Sequence, residues 1–142
     1  MSCTPDDVFA VLADGWSYGM WVVGAARIRD VDADWPAVGS QIHHSVGAWP
    51  LLLSDTSEVE EVDAPRRLQL KVHAWPTGAG RVVLTCTPVG DGDTEVVMEE
   101  QAVSGPATLV PDAAQDLLLH HRNLEALRRL AYLAEHHARS SG

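Results

Sequence analysis

Cysteine is scarce. Cys3 and Cys86 are the only two in 142 residues, too few for a disulfide framework and in keeping with a reducing compartment. Basic residues are also few: ten lysines and arginines against twenty acids leave a net charge of −10. That balance argues against a partner bound through its phosphate backbone. No apolar run approaches the roughly 20 residues that a membrane-spanning helix needs. The N-terminus carries Asp6, Asp7 and Asp14 and no basic stretch leading into an apolar one, so no secretory signal is expected. The expectation is a soluble, cytoplasmic chain with no membrane span and no nucleic-acid partner. Repeats, low-complexity segments and internal linkers are missing too. The length suits a single domain, 1–142, that buries its core without staples.

Several chemical signatures are likewise missing. His43-His44, His120-His121 and His136-His137 are adjacent pairs, but neighbours on a strand point to opposite faces and on a helix diverge by about 100°. There is no His-x-x-x-His and no cysteine cluster, so no metal site and no cofactor is expected. Gly78-x-Gly80 and Gly90-x-Gly92 read as hairpin turns and not as phosphate cradles, since neither runs from a strand into a helix. Ser104 sits in Ser-Gly-Pro without a nucleophile elbow, and Cys86 reads as core.

What is present is one long helical period near the C-terminus. Pro111 suits a first turn, Asp112 and Asp116 oppose the positive end of the dipole, and Arg128, Arg129, His136, His137 and Arg139 load the other end. At about 100° per residue, Leu124, Leu127, Leu130, Ala131 and Ala134 share one face. The same arithmetic puts His120 near the middle of that face, Asn123 at its border, and Arg122, Glu125, Arg129 and His136 on the opposite side. A stripe this wide should cover a sheet rather than form a coiled-coil seam.

The rest of the chain is strand-like. Thr4-Pro5-Asp6-Asp7 opens a helix burying Val8, Phe9 and Leu12, and Asp14-Gly15 stops it. Trp16 to Trp21 is a short aromatic helix or turn with an exposed rim. Strands are expected over 22–31, 40–47, 56–62, 68–74, 81–88 and 94–102. Ile42, His44 and Val46 share the inward parity of the second. Imperfect alternation at Val59 and Val62 suggests a bulge in the third. Leu68, Leu70 and Val72 alternate cleanly with Gln69, Lys71 and His73 in the fourth. Val82, Leu84 and Cys86 share a face of the fifth; Val96 and Met98 point inward on the sixth, which gives Glu100 the same parity. The plan is α+β: a curved antiparallel sheet wrapping one helix.

This order, with Pro5-Asp6-Asp7-Val8-Phe9 and Leu12-Ala13-Asp14, Trp21, Gly39, and a closing His121-Arg122-Asn123-Leu124-Glu125-Ala126-Leu127-Arg128-Arg129-Leu130, resembles the polyketide cyclase/dehydrase-like branch of the START-domain and birch-pollen-allergen (SRPBCC) superfamily. The resemblance spans nearly the whole chain. It implies a helix-grip fold: a sheet of six to seven strands around a long C-terminal helix, two short N-terminal helices, and a deep, mostly apolar cavity between sheet and helix. It also implies a whole strand before the first helix, where only Met1 to Thr4 stand. Either the sheet is one strand short, leaving edges that invite dimerisation or aggregation, or the start lies upstream of Met1; the second is favoured.

The candidate ligand-binding residues are Tyr18, Trp21, His44, Trp49, Trp75, Leu84, Met98, His120 and Leu124, with the aromatics ringing the cavity mouth. His44, His120 and Glu100 are candidate acid–base groups. The plainer readings stand beside these: satisfied core histidines, a glutamate at an exposed strand end, and tryptophans packing loops onto the core. The leading expectation is a monomer or homodimer that binds a small hydrophobic or aromatic molecule. A cyclase/dehydratase-like enzyme and a non-catalytic interaction module are the alternatives.

Overall fold

The computed structural model describes residues 1–46, 53–74 and 78–142. Helix α1, Pro5–Ala13, starts from a capping box. The Thr4 hydroxyl accepts from the Asp7 N–H at 3.3 Å, and the Asp7 carboxylate accepts from the Thr4 N–H at 2.9 Å. Two orphan donors of the first turn are thereby satisfied. Val8, Phe9, Val11 and Leu12 are buried on one side of it. A 3-10 turn, Gly15–Ser17, reverses the chain into the one-turn helix α2, Tyr18–Trp21. Ser17 Oγ braces this turn by donating to the Asp14 carbonyl at 2.8 Å.

Six strands follow: β1 Ala25–Val31, β2 Gln41–Val46, β3 Leu53–Asp63, β4 Arg67–Ala74, β5 Gly78–Val89 and β6 Asp93–Ser104. Each pairs antiparallel with the next, so the sheet order is the chain order. The expected bulge in β3 is there as a register shift between Val59 and Glu61. Strand β3 begins earlier than the alternation suggested, because Asp55 and Ser57 lie on the same buried parity as Val59. Gly90 and Gly92 turn the β5–β6 hairpin at φ +60° and +101°, angles that favour glycine. Residues 1–3 lie along the start of β6: the Met1 carbonyl accepts from the Thr94 N–H at 2.9 Å, and the Cys3 carbonyl accepts from Thr94 Oγ1 at 2.7 Å.

Helix α3, Asp112–Ser141, closes the concave side. Its buried stripe is Ala126, Leu130 and Ala134, packed chiefly against α1. Leu130 and Ala134 join Val8, Leu12, Ile42, Val59, Leu68, Leu70, Leu84 and Cys86 in one core. The face is rotated by about 60–80° from the one the leucine spacing indicated, taking 100° per residue. Leu124 is 44 % exposed and Leu117 72 %, whereas Asn123 is half-buried toward the sheet. The reason is that the helix packs chiefly against α1 and α2, and less against the sheet. Its N-terminal half stands over an open cleft, and leucines there stay partly in solvent. Among the described residues no helix is long and apolar enough to cross a membrane.

Candidate functional site

The concave side of the sheet is not filled. A cavity of about 340 Å³ lies beneath α2 and the middle of α3. Its walls take inward positions from all six strands: Ala25, His44, Asp55, Val72, Val82 and Met98. Tyr18 and Trp21 of α2 and Asn123 and Ala126 of α3 close it from the helix side. A second, wider space of about 800 Å³ lies between β5, β6 and the first half of α3, rimmed by Glu99, Asp112 and Asp116. Met98, Glu100 and Asn123 line both, so the wide cleft adjoins the inner cavity at these three residues. Arg122 of α3 forms an ion pair with Glu100 of β6 there, tying the helix to the sheet beside the junction.

The polar groups of the inner cavity form a short relay. His44 and Ser57 lie diagonally across the β2–β3 pair, His44 standing opposite Asp55 and Ile42 opposite Ser57. That diagonal brings His44 Nε2 within 3.0 Å of Ser57 Oγ. Ser57 Oγ in turn lies 2.7 Å from the Tyr18 hydroxyl. The Tyr18 ring stacks on His44 at 5.6 Å between centroids and meets Trp21 edge-on at 5.3 Å. All four side chains are buried; none is more than 4 % exposed. Burial pushes the Tyr18 phenol up to about 12, opposed in part by its hydrogen bond with Ser57. It also pulls the His44 imidazole below its ordinary value, with the neighbouring Asp55 carboxylate opposing in part. Both groups are therefore neutral near pH 7. Two atoms of this set have no hydrogen-bond partner among the described residues: His44 Nδ1 and Trp21 Nε1.

This arrangement can orient a molecule more readily than it can attack one. Ser57 has a histidine at bonding distance, as an activated nucleophile would, but Ser57 is fully buried and does not line the cavity. Its hydroxyl is spent inside the wall. Cys86 is buried in the core, and desolvation raises its thiol to about 11, which leaves it without thiolate character. Among the described residues no cluster of three metal-ligating side chains occurs.

The family described as polyketide cyclase/dehydrase and lipid transport matches residues 1–135. The chain belongs to that family. Its fold is the helix-grip fold: a protein from Rhodobacter sphaeroides superposes with a TM-score of 0.68 at 23% identity, over 92% of this chain and 84% of that one. Ara h 8.0201 superposes at 0.67 with 11% identity, over 94% and 92%. An AHSA1-like protein from Aeromonas hydrophila gives 0.63 at 18% identity, over 94% and 86%. Among curated proteins none matches the sequence.

Against the two spaces described above, the residues singled out from sequence divide. Tyr18, Trp21, His44, Met98 and Glu100 line the inner cavity together. Tyr18 and Trp21, however, are buried in its wall and do not ring a mouth; the exposed aromatic rim of that segment is Trp16, at 59 %. His120 lines the wide cleft between β5, β6 and α3 and not the inner cavity. It is exposed, beside Leu124 in the wide outer cleft, because α3 is turned away from the face the leucines suggested. Leu84 is packed in the core and lines neither space. Trp49 and Trp75 lie outside the described residues. Sequence reasoning missed Ser57, Asp55 and Arg122. The signal for the first two was the β3 parity counted back from Val59, which places both inward. Arg122 was assigned to the opposite side of the helix, yet its long side chain reaches back to Glu100.

Proposed function

We propose that this protein binds a small, largely apolar molecule in the inner cavity, under α2 and α3. One observation carries the reading: a space of about 340 Å³ at the centre of the sheet's concave face, walled by all six strands and two helices. That volume falls in the range of small-molecule sites. A chain folding only for stability would close such a space, since unfilled volume forfeits dispersion contacts. Membership of a family that includes lipid transport agrees with a carrier role. Acid–base catalysis remains a second reading because His44 and Glu100 line the same space, but Glu100 is engaged by Arg122 and His120 takes no part.

Native mass spectrometry of the purified protein tests the carrier reading, compared with Val72→Phe, which projects a ring into the cavity from β4. The expected result is a small-molecule mass excess, retained from expression or taken up from added tetralin, that is lost in Val72→Phe. Equal uptake by the filled variant, or none by the wild type, overturns the reading.

A further inference from the structure

The wide cleft of about 800 Å³ touches Met98, Glu99, Glu100 and Gln101 of β6 in unbroken succession. Successive side chains of a strand point to opposite faces, so a space that meets four in a row lies along the strand's margin. β6 is the last strand of the sheet. At its start that margin is occupied: the Met1 ammonium donates to the Thr94 carbonyl and the Thr94 N–H to the Met1 carbonyl, both at 2.9 Å. This reciprocal exchange is an antiparallel strand contact, and it fixes which backbone groups face outward. β6 keeps regular register with β5 from Asp93 to Ala102, so the N–H and C=O groups of Val96, Met98 and Glu100 point the same way as those of Thr94. Among the described residues none of these groups has a backbone partner on that side. The opposite edge of the sheet differs. β1 has seven residues and two register shifts, the short and irregular form that resists pairing. β6 has twelve residues and no shift beside the cleft.

The far wall and the charges define what fits there. α3 presents Leu119, Leu124 and Leu127 to the cleft, and Leu124 is 44 % exposed. Glu100, whose inward charge would deter an added strand, is answered by Arg122. Glu99, Asp112 and Asp116 also line the cleft, and none of the three is in an ion pair among the described residues. Arg81 on the same rim is held by Glu60.

We propose that this cleft is a docking slot for an extended segment of a partner protein, with apolar and basic residues in alternation, which adds to β6 as a further antiparallel strand. Alternate residues of the segment turn toward α3 and cover its leucines. Those between lie beside Glu99 on the outer face, where a lysine or arginine meets an unpaired carboxylate. Asp112 and Asp116 extend the same negative field along the helix side. The edge from Val96 to Ala102 takes about seven residues. A second copy of this chain fits less well, since its own β6 carries Glu95, Glu99 and Glu100 and brings carboxylates to carboxylates.

The experiment is a calorimetric titration of the full chain with the end-blocked peptide Val-Lys-Val-Lys-Val-Lys-Val. Its valines stand opposite Val96, Met98, Glu100 and Ala102, so their amides face β6 as Met1 does. Methylating the valine amide nitrogens removes those donors, whereas methylating the lysine amides leaves them. The expected result is binding that weakens at least about tenfold with the valine-methylated peptide, less with the lysine-methylated one, and that also weakens in Glu99→Lys. Bound peptide should slow amide hydrogen exchange at Val96, Met98 and Glu100 by at least about tenfold. No binding overturns the proposal, as do equal binding of the valine-methylated peptide and protection confined to other amides. Unchanged binding by Glu99→Lys overturns the basic character assigned to the partner. A concentration-dependent dimer that protects the same amides without peptide overturns the choice of partner and gives the edge to a second copy.

Discussion

Ser57→Ala is the most informative single perturbation, because Ser57 is the middle member of a buried chain. It is fully buried, with Tyr18 OH at 2.7 Å and His44 Nε2 at 3.0 Å. Removing its hydroxyl leaves two buried polar atoms without partners, and each such atom costs about 1–3 kcal/mol. Omitting the serine hydroxyl, which no longer has to be desolvated, offsets part of this, so the expected loss is about 2–4 kcal/mol. Tyr18→Phe should be milder. The ring keeps its contacts with His44 and Trp21, Ser57 still donates to His44, and no hydrogen is stranded, so the loss is about 1 kcal/mol. In the double variant only His44 Nε2 is orphaned. The combined loss should therefore fall short of the sum of the single losses by about 1 kcal/mol or more. Urea unfolding monitored by tryptophan fluorescence measures all three. With a slope of about 2 kcal/mol per molar for a chain of this size, Ser57→Ala lowers the midpoint by about 1–2 M. Single losses that simply add, or a Ser57→Ala loss no larger than that of Tyr18→Phe, would refute the relay.

Two further predictions concern the same wall and its frame. The folded-state value of His44 is depressed by burial, so unfolding takes up a proton below the unfolded value of about 6.5. Stability from this group is whole above that pH and falls as pH drops toward the folded value, by at most about 1.4 kcal/mol per unit; His44→Gln should flatten the profile below about pH 6.5, and an unchanged slope counts against a buried neutral imidazole. Gly78 opens β5 at φ +112°, and a Cβ there would fall on the Ser104 carbonyl; Gly78→Ala should cost about 2 kcal/mol or more, read as a drop in Tm, and a shift within noise would refute the close approach.

The frame of this molecule was legible residue by residue because each signal was local. Thr4 caps the helix that Thr4-Pro5-Asp6-Asp7 was expected to open, and Asp7, three residues on, completes a capping box with it. Leu68 and Leu70 alternate in sequence and are buried in β4, and the broken alternation after Val59 is a bulge. The site was less legible because it is made by juxtaposition. His44 was placed inward correctly, but its partner Ser57 lies 13 positions away and is polar, so nothing in a hydrophobic pattern marks it. The orientation of α3 misled for a different reason. Leucine spacing reports where apolar area could be buried, and the sheet and α1 decide how much of it is. Leu117, Leu124 and Tyr132 remain exposed at 72 %, 44 % and 67 %, and His120 went outward with them. Strand ends also ran longer than the apolar pattern, since Leu53 to Asp55 pair with β2 and Gly78 to Gly80 with β4.

The two unpartnered nitrogens, both on residues that line the cavity, weigh on stability. Each buried, unsatisfied N–H costs about 1–3 kcal/mol, a large share of the roughly 5–15 kcal/mol that separates a folded domain from its unfolded chain. Phenylalanine at position 21 would keep the edge contact with Tyr18 and remove one of these costs outright. With the phenol donating to Ser57 and Ser57 to His44 Nε2, the chain of Tyr18, Ser57 and His44 leaves one hydrogen unused, on His44 Nδ1. The sheet supplies the space, α2 supplies the indole and the phenol, and the β2–β3 diagonal brings Ser57 between Tyr18 and His44.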